Sequence, residues 1–158
     1  MLSKNEILCW FDGACGPKNP SGYMGWGAIV QYYDRCEYGY DGRDKNDRNT
    51  NNVAEYNGLL MILKMIKKVK GMIIVIRGDS NMVVNQMNND WRIKEGMYKY
   101  DAIDAMNKLR EIKKYNKVRL EWIPREENTD ADELSNEGIK KINPEYAGFK
   151  PYFKRKKC

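Results

Sequence analysis

The chain has 158 residues, 42% hydrophobic and 32% charged, the size and composition of one domain that can bury its own core. It contains no histidine, which excludes His-based triads, Cys–His nucleophile pairs and imidazole zinc sites; acid–base or metal chemistry must run on carboxylates, Lys, Arg, Tyr or Cys. The formal charge is +6, but five of the 28 basic residues lie in the last nine positions, KPYFKRKKC, so residues 1–149 carry 23 basic against 22 acidic residues and are nearly neutral.

Taken in chain order, residues 7–11 form a short apolar run ending at Asp12-Gly13, the pattern of a buried strand stopped by a turn. GACGPKNPSGYMGWG follows and reads as a Gly/Pro/Asn-rich loop, and AIVQYY and CEYGYDG are strand-like runs at hairpin spacing. After the polar segment RDKNDRNTNN, residues 53–70 place Tyr56, Leu59, Leu60, Leu63, Ile66 and Val69 at helical spacing, with lysines gathered towards the C-terminal end and Gly71 as the stop. MIIVI at 72–76 is a buried strand, 80–88 a short helix and 99–115 a longer one. VRLEWIP at 118–124 alternates as a strand, and 130–141 is a final helix. Three strands in a meander, followed by two strand–helix–strand crossovers, predict an α/β fold: a five-stranded mixed sheet with helices packed on it.

Other features narrow the class. The cysteines Cys9, Cys15, Cys36 and Cys158 form no C-x-x-C pair, so neither a zinc ribbon nor a thioredoxin-type site is indicated. The longest apolar stretch, 58–63, is far below the ~18 residues of a membrane span. The N-terminus reaches charge too early for a signal peptide, so the expectation is a cytoplasmic protein with no membrane partner.

Ligand sites in such sheets form beyond the carboxyl ends of parallel strands, where connections diverge. Asp12 is expected at the end of the first strand and Asp79 at the end of the 72–76 strand, with Glu55 and Asp132 in the first turns of their helices. Each has a plain structural alternative. Asp12-Gly13 fits a turn, Asn52 to Glu55 fits a capping box, Asp79 could cap the next helix, and Asp130 and Asp132 suit a helix N-terminus. Four carboxylates converging on one crevice repel unless a cation holds them, and oxygen-only ligands favour Mg²⁺ or Mn²⁺.

The segments FDGACGPKNPSGYMGWGAIV, RNTNNVAEYNGL, IRGDSNMVVNQ and WIPREENTDADELSNEG carry a resemblance. In this order, over residues 11–138, they are similar to type 1 ribonuclease H, which cuts the RNA strand of RNA–DNA hybrids. The resemblance implies the RNase H-like fold with helices on both sheet faces, and it implies Asp12, Glu55, Asp79 and Asp132 as ligands of two Mg²⁺ ions, with Mn²⁺ able to substitute. It also implies 5′-phosphate and 3′-hydroxyl products. By the same resemblance Arg48 and Thr50 match a DNA-phosphate pocket and Asn19, Asn51 and Asn52 match minor-groove contacts. Gly13, Ser80 and Asn128 complete the expected substrate-binding set. The expected partner is a hybrid duplex bound by a monomer.

Two departures refine this. Many members of the family place a histidine before the last acid; here PREENTDAD resembles the shorter archaeal and bacterial form, in which Arg takes this place, and Arg125 is expected to contact the scissile or departing phosphate. A surface ion pair of Arg125 with Glu126 or Glu127 is the plain alternative. The segment WRIKEG at 91–96 is too short for the basic protrusion of some members, so the tail at 150–158 becomes the candidate for extra backbone contacts beside a catalytic domain at 1–149. A catalytically silent nucleic-acid-binding module of the same fold is the competing reading, and intact acids at all four positions argue against it.

Overall fold

The computed structural model describes residues 1–146; the basic tail lies outside the described residues. Strands β1 (Glu6–Gly16), β2 (Tyr23–Gln31) and β3 (Cys36–Arg43) are followed by α1 (Asn51–Met65), β4 (Ile73–Gly78), α2 (Asn81–Met87), α3 (Lys99–Lys113), β5 (Lys117–Trp122), a 3₁₀ turn (Arg125–Glu127) and α4 (Thr129–Ile142). The sheet order is β3-β2-β1-β4-β5. β1 pairs antiparallel with β2 and parallel with β4, so the centre of the sheet is the seam between the meander and the parallel half.

Period-2 alternation along β1 builds a core on each face. Ile7, Cys9 and Phe11 join Met24, Ala28, Val30, Ile74 and Ile76 beneath the buried faces of α1, α2 and α3. Trp10 points the other way, into a smaller cluster with Ile29 and with Ala131 and Leu134 of α4. The five-stranded mixed sheet with helices on both faces is thus the architecture expected. Among the described residues no helix is long and apolar enough to cross a membrane.

Three local expectations are corrected. β1 does not stop at Asp12-Gly13: it pairs with β2 as far as Gly16↔Tyr23, so both ends of the supposed Gly/Pro loop are strand. Three of the glycines that suggested a loop, Gly13, Gly25 and Gly27, lie where α1 or α4 crowds the sheet. α1 starts two residues earlier than the 53–70 pattern and ends at Met65. Its lysine-rich continuation is drawn off by the lead-in to β5, with Asn116 Nδ2 donating to the Val69 carbonyl and the Gly71 N–H to the Tyr115 carbonyl. Gly71, at φ +75°, therefore serves the turn into β4 and not the helix end. The middle strand of the sheet is β1.

Candidate active site

The site begins where β1 loses one of its neighbours. Parallel pairing of β1 with β4 ends at Trp10↔Arg77, and β4 stops at Gly78, while β1 continues along β2 alone. The gap that opens there has Asp12 on one side and Asp79 on the other, the divergence point at which such sheets bind ligands.

Glu55 reaches the same gap because α1 lies unusually close to β1. A Cβ on Gly13 would sit 2.1 Å from the Ala54 carbonyl carbon, and one on Gly58 2.7 Å from the Asp12 carbonyl oxygen. Two glycines, one on each element, thus let helix and strand backbones touch on either side of Glu55. The Asn52 capping box does not form. Thr50 is the cap, its hydroxyl accepting from Val53 N at 3.1 Å, and this places Glu55 at the start of the second turn, where its side chain faces the sheet end. Ser80 likewise caps α2 in place of Asp79, accepting from Val83 N at 3.2 Å.

One carboxylate oxygen from each of Asp12, Glu55 and Asp79 lies within 4.8 Å of the others. Burial, then the charge of Asp79, pushes the Asp12 carboxyl well above its usual range against a 2.8 Å hydrogen bond from Gly13 N. Burial pushes Glu55 up to about 7 against a hydrogen bond from Ser80, with Asp79 adding repulsion. Asp79 is raised by burial, opposed by a hydrogen bond from the Asn128 side chain and by the charge of Arg125. Three acids that resist ionising together form a donor set that fits a hard divalent cation, whose charge would reverse all three shifts.

Asp132 is in the first turn of α4, as expected, and lines the same cleft of about 380 Å³, but it stands outside the close trio. Its side chain is 31% exposed, and its carboxylate is 3.9 Å from Nη2 of Arg125, which is 81% exposed. Arg125, for which an ion pair with Glu126 or Glu127 was the plain alternative to a phosphate contact, pairs with Asp132, and its guanidinium also lines the cleft.

The remaining expected residues divide between the surface and the frame. Asn19, Arg48, Asn51 and Asn52 are exposed. Asn51 Oδ1 accepts from Cys15 N at 2.8 Å and Asn51 N donates to Asn19 Oδ1 at 3.1 Å, which joins the 17–22 loop to the start of α1 beside the cleft. Gly13, Thr50 and Ser80 have the structural duties already described. Asn128, expected to touch substrate, is instead fully buried, its Nδ2 donating to the Phe11 carbonyl at 2.9 Å.

Sequence reasoning missed several residues. Trp122 lines the cleft, its indole N–H donating to the Asp79 carbonyl at 3.1 Å; pairing with Gly78 across β4 and β5 puts it there. Asn49 is wholly buried, donates to the Gly22 and Asp44 carbonyls and accepts from Arg43, so it shapes the loop that presents Arg48. Behind the site, the Tyr56 hydroxyl donates to Gln86, whose amide reaches the Tyr98 hydroxyl and the Arg92 carbonyl, and the two tyrosine rings stack 5.8 Å apart. Nothing but polar residues at core-facing helix positions announces that network. The segment between α2 and α3 that it holds contains no helix or strand, in keeping with the absent protrusion.

Residues 10–138 match the family described as reverse transcriptase-like. The bifunctional protein Rv2228c of Mycobacterium tuberculosis is 31% identical over 136 residues, 85% of this chain but 35% of that protein. The solved N-terminal RNase H domain of Rv2228c superposes with a TM-score of 0.75 at 27% identity, covering 88% of this chain and 96% of that one. Ribonuclease HI of Halobacterium salinarum is 28% identical over 140 residues, 85% of this chain and 64% of that protein. LC11-RNase H1 from a compost metagenome, solved in complex with an RNA/DNA hybrid, aligns with a TM-score of 0.74 at 28% identity, covering 86% of this chain and 98% of that one. The chain thus spans just over a third of the length of the Mycobacterium relative and under two thirds of the archaeal one. It belongs to the reverse transcriptase-like family, and its fold is that of the type 1 ribonucleases H it superposes on.

Proposed function

We propose that this ribonuclease H hydrolyses the RNA strand of RNA–DNA hybrids endonucleolytically, leaving 5′-phosphate and 3′-hydroxyl ends. The observation that carries the reading is the trio of carboxylate oxygens within 4.8 Å of one another at the sheet's divergence point. Asp12, Glu55, Asp79 and Asp132 would hold two Mg²⁺ ions, or Mn²⁺ in their place, which when bound supply an activated water and charge stabilisation at the leaving oxygen.

The chain's own groups orient the acids and the duplex. The Gly13 N–H and the Ser80 hydroxyl aim Asp12 and Glu55 into the cleft. Arg125 contacts the scissile or departing phosphate through its planar guanidinium, as a positive charge and not as a base. Asn19, Asn51 and Asn52 line the approach to the cleft with groups that can donate to and accept from 2′-hydroxyls and base edges. Arg48 and the Thr50 hydroxyl face a phosphate of the DNA strand, on the side of the molecule where Arg43 and Arg48 both act on Asp101 at the start of α3. Requiring 2′-hydroxyls on one strand and a DNA-like phosphate path on the other selects a hybrid over either homoduplex. Residues 1–149 form the catalytic domain, and the tail at 150–158 adds backbone contacts; the setting is the cytoplasm and the working unit a monomer.

End-labelled RNA–DNA, RNA–RNA and DNA–DNA duplexes incubated with Mg²⁺ or Mn²⁺ test this directly. The hybrid alone should be cut, and only with metal; an uncut hybrid overturns the reading and leaves a silent binding module. For the tail, truncation to 1–149 should weaken hybrid binding and lower its salt dependence by up to about five phosphate contacts, and an unchanged slope removes that role.

A further inference from the structure

Asn128 has a bonding pattern at odds with its place in the fold. It occupies the N-cap of α4, where an asparagine ordinarily accepts a first-turn N–H through Oδ1, and here that bond does not form. Its Oδ1 is the buried side-chain polar atom that lacks a partner among the described residues. A buried acceptor left without a partner is destabilising, so cap stability does not select this orientation. The amide nitrogen is the half in use. Nδ2 donates to the carbonyl of Phe11, the residue before Asp12, at 2.9 Å, and the same side chain lies near enough to Asp79 to offset part of the rise that burial imposes on that carboxyl. The Asn128 carbonyl accepts from Asp132 N at 3.0 Å. Turning the amide over would aim Oδ1 at another acceptor, the Phe11 carbonyl. One residue thereby ties together β1, the end of β4 and the start of α4, each of which delivers an acid.

We propose that Asn128 is a positioning residue of the metal centre: it sets the Asp79 carboxylate and the spacing of β1 to α4, and it does not contact nucleic acid. The inference rests on the metal reading above. Full burial leaves the side chain no surface to offer a duplex.

The test combines calorimetric titration of the whole chain with Mn²⁺ in the absence of nucleic acid and anisotropy of a labelled hybrid in EDTA. Asn128→Ala should weaken Mn²⁺ binding at least tenfold and leave metal-free hybrid affinity within twofold. Asn128→Ser, which keeps a donor hydroxyl, should recover part of the Mn²⁺ affinity. In the cleavage assay the loss should fall on kcat, with KM within twofold and partial recovery at high Mn²⁺. Unchanged Mn²⁺ affinity, or a tenfold loss of metal-free hybrid binding, overturns the proposal, as does collapse of both variants, which would make Asn128 a purely structural strut. Wild-type protein that binds no Mn²⁺ would fail the metal reading itself, whereas an unchanged ratio between variant and wild type fails only this inference.

Discussion

Helix α1 meets the sheet through Gly13 and Gly58 and buries Val53, Ala54, Tyr56, Leu59, Ile62 and Leu63 against a broad core, whereas α4 packs Ala131 and Leu134 on Trp10 and Ile29 of the opposite face. Each delivers one acid to the cleft. Glu55 is drawn into contact range of Asp12 and Asp79 and made hard to ionise, while Asp132 stays more open and is shared with an exposed arginine. Both helices press closely on the sheet, so the difference lies in position along the helix: Glu55 points inward from the second turn of α1, whereas Asp132 sits in the open first turn of α4. Three acids therefore form the rigid part of the centre, and the fourth is its adjustable part.

The largest expected effect separates the two parts. In single-turnover cleavage of a hybrid, Asp79→Asn and Glu55→Gln should each lose at least about a thousandfold, about 4 kcal/mol of transition-state stabilisation, and Asp132→Asn distinctly less. Equal losses at all four positions would erase the distinction between fixed and adjustable acids.

Packing can be made to report the same contrast. Gly58→Ala drives a methyl into the Asp12 carbonyl, and Gly138→Ala drives one to 2.2 Å from the Asp41 carbonyl under α4. Both should destabilise by about 1–3 kcal/mol in denaturant titration. Only Gly58→Ala should also cost the folded fraction its activity, because only that clash displaces Glu55 from Asp12. A Gly138→Ala protein as inactive as Gly58→Ala would contradict this.

A smaller effect is written in pH. Glu55 rises from its ordinary value of 4.5 to about 7 in the folded chain, so the native state holds a proton that the unfolded state has released. Its linkage makes metal-free stability highest below about pH 4.5, falling as pH rises towards 7. Melting temperature measured in EDTA should decline over that window, and Glu55→Gln should flatten the decline. A wild-type profile that rises between pH 5 and 7 would show that Glu55 is not held in this way.

The smallest effect concerns the open side of the site. Arg125→Ala should lower turnover more than twofold while leaving stability within about 0.5 kcal/mol, since an exposed pair at 3.9 Å contributes little to folding. Turnover within twofold of wild type would reduce Arg125 to a surface ion pair.

Much of the site was legible because its acids sit beside residues that punctuate structure. Asp79 follows the Gly that ends β4, and Asp132 lies in the first turn after a Pro-initiated loop. The extension of β1 was not legible, because glycines that admit a helix look the same in sequence as glycines that make a turn. The helix start was ambiguous for a related reason: Thr50, Asn51 and Asn52 can all cap, and packing against β1 chose Thr50. Asn49 escaped notice and Asn128 read as a substrate contact because asparagine is commonly a surface residue, and only tertiary structure reveals a carbonyl waiting for a buried amide.

The stacked tyrosines and glutamine behind the cleft bear on how this chain could change over time. Gln86 takes hold of the Arg92 carbonyl and the Tyr98 hydroxyl, and Tyr98 in turn receives the Lys94 N–H, so the 89–97 excursion is pinned at both of its feet. At the first foot the backbone turns at Asn89, φ +65°, with the Asp90 and Trp91 N–H groups donating to the Asn85 carbonyl, and before the second it passes Gly96, whose carbonyl accepts from Lys99 N. Extra sequence grafted into that span would hang outward from a fastened base and leave Glu55, one residue from Tyr56, undisturbed. The chain thus carries a ready splice point at which a duplex-gripping appendage could be gained or lost without retuning the chemistry.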